Sequence, residues 1–238
     1  MPEPALLLTC EHGGNQVPAR HRRLFSGQKA LLASHRGWDP GALALARLLA
    51  KELDAPLLAC ETTRLLADPN RSRGHRALFS EFTRPLPATE QQAILDAFWQ
   101  PHRSAVQRAA ADLLAGNRRV LHLAVHSFTP VLDNRERVMD LGLLYDPARS
   151  REARLAKAWQ AVLARAAPHL RVRRNAPYRG AADGLTTTLR RSLGSGYLGL
   201  ELEANQALFP DPCAAPPDLA RLLAAALRTA LTLLAQGG

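Results

Sequence analysis

Two histidines stand close to the ends of apolar segments of the chain. His12 comes shortly after Leu6-Leu7-Leu8, and His126 directly follows the segment that ends at Val125. Two neutral imidazoles can share a zinc ion, which with one carboxylate and an open position activates water for hydrolysis. Each histidine taken singly is more often structural. As a pair they indicate a metallohydrolase.

Other polar residues lie just past predicted strands. In open α/β sheets, binding sites form beyond the carboxyl ends of the strands. The candidates are Glu11, Asn15, Arg64, Asp68, Asn70, Arg71 and Ser127 after predicted strands, and Glu201 and Glu203 within the last one. Their types span acids, bases and anion-binding groups, so the sequence predicts a single site at that edge.

The apolar periodicity alternates strands with helices. It predicts strands at 5–9, 56–59, 120–125, 140–145, 170–173 and 197–203, and helices at 40–53, 89–114, 150–166 and 218–234. The second helix is expected to be interrupted near Pro101 and to stop at Gly116-Asn117. Asp39 before Pro40 is expected to cap the first helix. The alternation predicts a mostly parallel or mixed sheet with helices on both faces.

Length and composition favour one α/β domain over residues 1–238. The three cysteines are odd in number and widely spaced, which predicts reduced thiols rather than disulfides or a cysteine zinc site. No apolar stretch reaches the roughly 18 residues that span a bilayer, and the first residues lack the basic region of a signal peptide. We therefore expect a cytoplasmic protein with no membrane partner.

The net charge of +10 is almost entirely arginine, with lysine only at 29, 51 and 157. Nucleic-acid binding would favour a long basic run or interleaved aromatic residues, and the aromatic content is only 5%. A cleft for a small acidic substrate uses a positive field equally well. We therefore expect no nucleic-acid partner.

Six motifs carry a resemblance to a known family. They are CEHGGNQVP at 10–18, HRGWDPGA at 35–42, TRLLADPNR at 63–71, HSFTP at 126–130, NAPY at 175–178 and GLELE at 199–203. In this order they resemble the N-formylglutamate amidohydrolase family, from residue 6 to about residue 208. The resemblance implies a zinc enzyme that hydrolyses N-formyl-L-glutamate to L-glutamate and formate in histidine breakdown.

A more distant likeness to the zinc carboxypeptidases implies a three-layer α/β/α fold of the zinc-exopeptidase type and individual roles. In that comparison His12 and His126 are zinc ligands, Asn70 and Arg71 bind the substrate carboxylate, and Glu201 is the general base. The third ligand departs from the pattern, because Asn15 stands where those enzymes have a glutamate. Asp39 is the candidate for that place, and Glu11 is the alternative if the chain turns after the first strand.

Arg64 and Tyr178 complete the hypothesis for the site. Arg64 would stabilise the oxyanion or bind a carboxylate, and Tyr178 would add a hydroxyl donor. Simpler interpretations stay open at this stage: Asp39 as a cap alone, the arginines as a solvated loop, Glu201 and Glu203 on a solvent-facing edge strand, and Tyr178 as a packing residue.

Three functions are compatible with the sequence. The first is hydrolysis of N-formyl-L-glutamate or of another small acidic N-acyl amino acid, since Glu11 before His12 indicates a divergent branch of the family. A carboxypeptidase-like peptidase is the second, and a basic nucleic-acid-binding protein is the third. The ion is expected to be Zn²⁺, with another divalent metal as the alternative.

Overall fold

A mixed six-stranded sheet forms the centre of the computed structural model, which describes residues 3–116 and 119–236. The strands of the described residues are β1 (Ala5–Cys10), β2 (Leu57–Ala59), β3 (Val120–Phe128), β4 (Val131–Leu132), β5 (Arg135–Glu136), β6 (Leu141–Leu144), β7 (Val172–Arg174) and β8 (Tyr197–Asn205). The sheet order is β2-β1-β3-β8-β6-β7, and β4 pairs with β5 in a separate hairpin.

Strands β2, β1, β3 and β8 run parallel, whereas β6 runs antiparallel to β8 and parallel to β7. The carboxyl ends of β1, β3 and β8 therefore meet at one edge of the sheet. Every residue of β3 is buried, as expected for a central parallel strand that is covered on both faces. This arrangement confirms the expected mixed sheet.

Helices cover both faces of the sheet. They are α1 (Lys29–Ala33), α2 (Ala42–Leu53), α3 (Ala88–Ile94), α4 (Gln100–Ala115), α5 (Ser150–Ala166), α6 (Leu185–Leu193) and α7 (Pro217–Gln236). Helices α2, α5 and α7 pack together on one face, and α4 and α6 pack on the other. The fold is a three-layer α/β/α sandwich, as expected. Among the described helices, none combines the length and apolar character needed to cross a membrane.

The expected cap of the first long helix is wrong. Helix α2 begins at Ala42 after Gly41, which has φ of +82°, and no side chain caps it. The Asp39 carboxylate is instead paired with Arg64 and with His126, so it is not available to the helix amides. A glycine at 41 is required by its left-handed backbone and by Phe209, whose ring would meet a Cβ there.

The predicted interruption near Pro101 is a π-helical turn rather than a break in the helix. A π-helical turn, Leu95–Trp99, joins α3 to α4, and Pro101 lies in the first turn of α4. Since proline cannot donate a backbone hydrogen bond, the wider turn ahead of it lets the helix continue. Helix α4 ends at Ala115, as expected near Gly116, while Asn117 lies outside the described residues.

Two central strands extend further than expected. Strands β3 and β8 stay paired from Val120 with Tyr197 to Phe128 with Asn205. His126 is therefore a paired residue inside β3 rather than one that follows it, and Glu203, which was expected to end the last strand, lies inside β8. Polar side chains were taken to mark strand ends, but the buried backbone continues to pair past them.

Helix α6 was not predicted, because its threonines are poor helix formers and its apolar residues are few. Tertiary contacts compensate: Leu185 and Leu189 are buried against β3 and β8 residues, and Arg190 binds the buried Glu152 through Nε at 3.0 Å. The loop that precedes this helix contributes Ala182 and Asp183 to the lining of the cavity described next.

Candidate active site

A cavity of about 360 Å³ opens at the carboxyl ends of β1, β3 and β8. It is lined by the eight residues preferred from the sequence as metal ligands, catalytic residues or substrate-binding residues: His12, Asp39, Arg64, Asn70, Arg71, His126, Tyr178 and Glu201. Glu11, Asn15 and Asp68, which the sequence also placed at this edge, are not among the lining residues. Ser127, Arg179, Ala182, Asp183 and Glu203 complete the lining. Residues separated by nearly the whole chain thus converge in one place.

Three of these residues form a compact buried group. His12, Asp39 and His126 each offer one ligand atom, and these atoms lie within 4.8 Å of one another. Asp39 Oδ2 lies 3.4 Å from His12 Nδ1 and 2.9 Å from His126 Nδ1. His12 Nδ1 is buried without a hydrogen-bond partner among the described residues.

This donor set fits a zinc ion. Ligand bonds of about 2.0–2.2 Å in tetrahedral geometry place neighbouring donor atoms roughly 3–4 Å apart. The distances from Asp39 Oδ2 to the two imidazole nitrogens are of that size, and an unpartnered buried nitrogen is accounted for by a ligand. Two histidines and a carboxylate also leave a coordination position for water.

Local turns bring Asp39 to the histidines. The backbone amide of Asp39 donates to His12 O at 2.9 Å, and that of Arg64 donates to Gly37 O at 3.1 Å. A Cβ at Gly37 would lie 2.3 Å from Leu32 O, so only glycine permits this close packing. The turn thereby aligns the first three motifs of the sequence.

The two alternative third ligands lie elsewhere. Glu11 is buried on the opposite side of the His126 ring, with Oε2 3.1 Å from Nε2. Asn15 donates its amide to Leu32 O at 3.1 Å and does not line the cavity. Of the three candidates, the structure therefore groups only Asp39 with both histidines.

Charges around the histidines shift several pKa values. Burial raises the pKa of Asp39, but the Arg64 guanidinium and His12 outweigh it and hold that pKa well below its usual range. For His126, burial lowers the pKa, whereas the neighbouring Asp39 and Glu11 carboxylates raise it well above its ordinary value. The group is strongly polar despite its burial.

Asp68 holds the second nitrogen of His12. Its Oδ1 lies 2.7 Å from His12 Nε2 and also accepts a hydrogen bond from the backbone amide of Asn70 at 2.8 Å. Burial raises the Asp68 pKa, yet His12, Arg64 and Arg71 lower it far more. The sequence marked Asp68 as part of the motif with Asn70 and Arg71 but assigned it no contact with His12.

Glu201 and Glu203 both face the cavity from β8. Glu201 is half-buried and accepts a hydrogen bond from the Thr186 hydroxyl of α6. Glu203 is buried, and burial raises its pKa to about 8. Because β8 lies between β3 and β6, the interpretation of these residues as the face of an edge strand is wrong.

The basic residues lie along the wall next to α6. Arg71 donates from Nη1 to Asp183 O at 2.7 Å, and Asn70 Oδ1 accepts the Leu185 amide at 2.7 Å. At the rim, the hydroxyl of the half-exposed Tyr178 accepts from Arg137 Nη1 at 3.2 Å. The Arg137 guanidinium also lies 5.2 Å from the centre of the Tyr178 ring.

Helix α4 and the π-helical turn before it support this wall with residues to which the sequence gave no role in the site. Trp99 Nε1 donates to Arg71 O, and Arg103 Nη1 donates to Pro69 O, both at 2.9 Å. His102 lies in a polar segment of the sequence, but its side chain is only 8% exposed and faces Glu11. Its position in a polar segment hid the packing of α4 against the site.

His122, which stands between apolar residues of β3, is a satisfied core histidine. It is fully buried, with Nε2 2.7 Å from the Thr9 hydroxyl and Nδ1 2.5 Å from the Tyr197 hydroxyl. Burial lowers its pKa to about 4. It does not line the cavity.

Comparisons with known proteins agree with the motifs. A family model described as N-formylglutamate amidohydrolase matches residues 4–209. A search of curated protein sequences found no significant match.

Two solved structures are similar over nearly the whole chain. A gene product from Agrobacterium tumefaciens is 31% identical with a TM-score of 0.84, covering 98% of this chain and 92% of its own. An N-formylglutamate amidohydrolase from Ralstonia eutropha is 19% identical with a TM-score of 0.69, covering 98% and 94%. The second likeness concerns the fold alone.

Proposed function

The chain belongs to the N-formylglutamate amidohydrolase family and is a hydrolase of amide bonds; from that premise we propose a zinc-dependent reaction on a small N-acyl amino acid. N-formyl-L-glutamate, cleaved to L-glutamate and formate, is the first candidate substrate. The observation that carries the proposal is the buried group of His12, Asp39 and His126 in a cavity that also holds Glu201 and Arg71.

His12, Asp39 and His126 are the proposed ligands of the ion. The chemistry that zinc supplies when bound is polarisation of the scissile carbonyl and a lowered pKa, towards about 7, for a bound water. Arg64 holds the Asp39 carboxylate in place, while Asp68 orients the His12 ring through its other nitrogen.

Glu201 is the proposed general base. Its carboxylate faces the cavity and is oriented by the Thr186 hydroxyl. It would accept a proton from the attacking water and return it to the leaving amine. The neighbouring Glu203 is less suited to accept a proton, because its pKa of about 8 keeps the carboxyl largely protonated at neutral pH.

Arg71 and Asn70 are the proposed receptors for the substrate carboxylate. Arg71 Nη1 donates to Asp183 O, and Asn70 Oδ1 accepts a hydrogen bond from the Leu185 backbone amide. The remaining guanidinium donors of Arg71 and the side-chain amide nitrogen of Asn70 would therefore bind the substrate carboxylate. Arg64 lies beside the ligand group and is suited to stabilise an oxyanion. Tyr178 at the rim offers a hydroxyl to the bound substrate.

An assay of zinc-loaded protein against matched substrates tests the proposal. The panel is N-formyl-L-glutamate, N-formyl-L-alanine, N-acetyl-L-glutamate and a dipeptide that ends in glutamate. We expect the highest kcat/KM for N-formyl-L-glutamate, loss of turnover with a chelator, and recovery with zinc. Turnover that is unchanged by chelation would contradict the metal, and preference for the dipeptide would indicate a peptidase instead.

A further inference from the structure

The carboxylate of Glu11 lies in the interior and takes no part in the reaction proposed above. Its side chain is 0% exposed, and it stands in the turn between β1 and His12. Neither oxygen completes a hydrogen bond within the described residues. A buried carboxylate without partners costs several kcal/mol, so its presence calls for a physical reason.

Two histidines face this carboxylate from different elements. Oε2 lies 3.1 Å from His126 Nε2, which is within hydrogen-bonding distance although the two groups are poorly aligned. Oε1 lies 3.9 Å from His102 Nε2, which is contributed by α4. Glu11 thus lies between His126, one of the three proposed metal ligands, and His102 of helix α4.

The two histidines of the metal group have matching surroundings. His12 presents Nδ1 to Asp39 and Nε2 to the buried Asp68. His126 presents Nδ1 to Asp39 and Nε2 to the buried Glu11. In each ring, Nδ1 therefore faces Asp39 of the proposed ligand set, and Nε2 faces a second carboxylate outside that set.

A histidine that binds a metal usually donates its second N–H to a carboxylate or carbonyl. This bond determines which nitrogen carries the proton and holds the ring at a fixed angle. We propose that Glu11 is a positioning residue that accepts the Nε2 proton of His126 and keeps Nδ1 directed at the metal. The inference rests on the proposed function, because it concerns a ligand of the proposed ion.

The same geometry argues against Glu11 as a ligand. The two nitrogens of an imidazole point away from each other, and the Nδ1 side of His126 is the side shared with Asp39 and His12. An ion bound there is separated from Glu11 by the His126 ring. His102 complements Glu11 from the other side and reduces the cost of burying its charge.

Zinc affinity, measured by competition with a chromophoric chelator on the full chain, tests this role. Glu11→Leu removes the acceptor, and Glu11→Gln keeps one acceptor oxygen at the same reach. Asp68→Asn, which weakens the equivalent contact on His12, is the benchmark. The control is Glu61→Gln, because the Glu61 side chain is 43% exposed and pairs with Arg47 away from the cavity.

We expect Glu11→Leu to bind zinc roughly 10–100-fold more weakly than wild type. Glu11→Gln should recover much of that loss, and Glu61→Gln should bind like wild type. A residue that only fills space predicts no such recovery, since leucine and glutamine fill similar volumes. Circular dichroism and thermal unfolding check that each variant is folded.

Two further outcomes are distinguishable. Wild-type affinity in a folded Glu11→Leu variant, or equal losses in the leucine and glutamine variants, would overturn the role of Glu11 and leave the metal site intact. Failure of the wild-type protein itself to bind zinc would overturn the proposed function, and this inference with it.

Discussion

His122 and His126 are four residues apart on β3, on the same face of the strand, and both are buried. Their environments are opposite. Hydroxyl groups of Thr9 and Tyr197 contact both nitrogens of His122, and burial lowers its pKa to about 4. Carboxylates contact both nitrogens of His126 and raise its pKa well above the ordinary value.

The contrast between these two histidines shows that burial of a histidine does not by itself indicate a functional site. Neutral hydroxyls satisfy His122 and close its surroundings, so nothing remains for a ligand. Around His126, acidic groups and a neighbouring imidazole are held together with polar atoms that lack partners, such as His12 Nδ1. Such an arrangement is costly unless a ligand or a reaction uses it.

Replacing each of the two histidines separately gives the largest expected difference in activity. His126→Ala removes a proposed ligand, so we expect loss of zinc and a decrease in kcat/KM of at least about 10³-fold, or roughly 4 kcal/mol. His122→Asn should retain zinc and most activity. Metal analysis and steady-state kinetics measure both, and similar losses in the two variants would contradict the comparison.

A change at Glu201 separates acid–base chemistry from metal binding. Glu201→Gln should lower kcat by about 10²–10⁴-fold, because the amide cannot accept the proton, while zinc stays bound. Glu203→Gln is the matched control with a smaller decrease, since Glu203 is largely protonated at neutral pH. Full activity in Glu201→Gln would refute the proposed base.

Arg71 tests binding of the substrate carboxylate. Arg71→Ala should raise KM by about 100-fold for acidic substrates, since a charge-assisted hydrogen bond contributes roughly 1.5–3 kcal/mol. Arg71→Lys should restore only part of this, because lysine lacks the planar pair of donors. Arg73→Ala, on an exposed neighbour, should have little effect; equal losses at 71 and 73 would indicate a general effect of charge.

The smallest expected effect concerns stability at His122. Its folded pKa of about 4 lies below the ordinary value of 6.5, so the folded state favours the neutral ring. This stability is present above pH 6.5 and is lost as the pH falls towards 4. Between pH 7 and 5 the loss is about 2 kcal/mol. Chemical denaturation should show a flatter pH dependence in His122→Asn; an unchanged slope would contradict the assignment.

Most of the fold followed from periodicity. Helix α5 was predicted at its observed bounds, and the strands of the central sheet were all anticipated. Helix α6 was not, because its stability comes from Leu185, Leu189 and the Arg190–Glu152 pair rather than from helix propensity. Local patterns reveal elements whose own residues carry the periodicity, and they miss elements that distant contacts stabilise.

The sequence also predicted that the candidate residues lie close together in the fold. His12, His126 and Glu201 belong to strands, or follow strands, whose carboxyl ends meet at one edge, so a parallel topology brings them together. The expectation that Asp39 caps the first long helix was wrong, because a helix start has the same local sequence whether or not its aspartate is used elsewhere. The proximity of Glu11 to His102 became visible only through the packing of α4 beside β1.

The sequence alone determined the family motifs, the alternation of strands and helices, and the edge of the sheet at which the polar residues collect. Tertiary structure decided which carboxylate joins His12 and His126, which nitrogen of each ring faces it, and which histidine is closed off in the core. The physical reason is that strand periodicity follows from residue order, whereas side-chain direction in turns depends on ion pairs and contacts between distant segments.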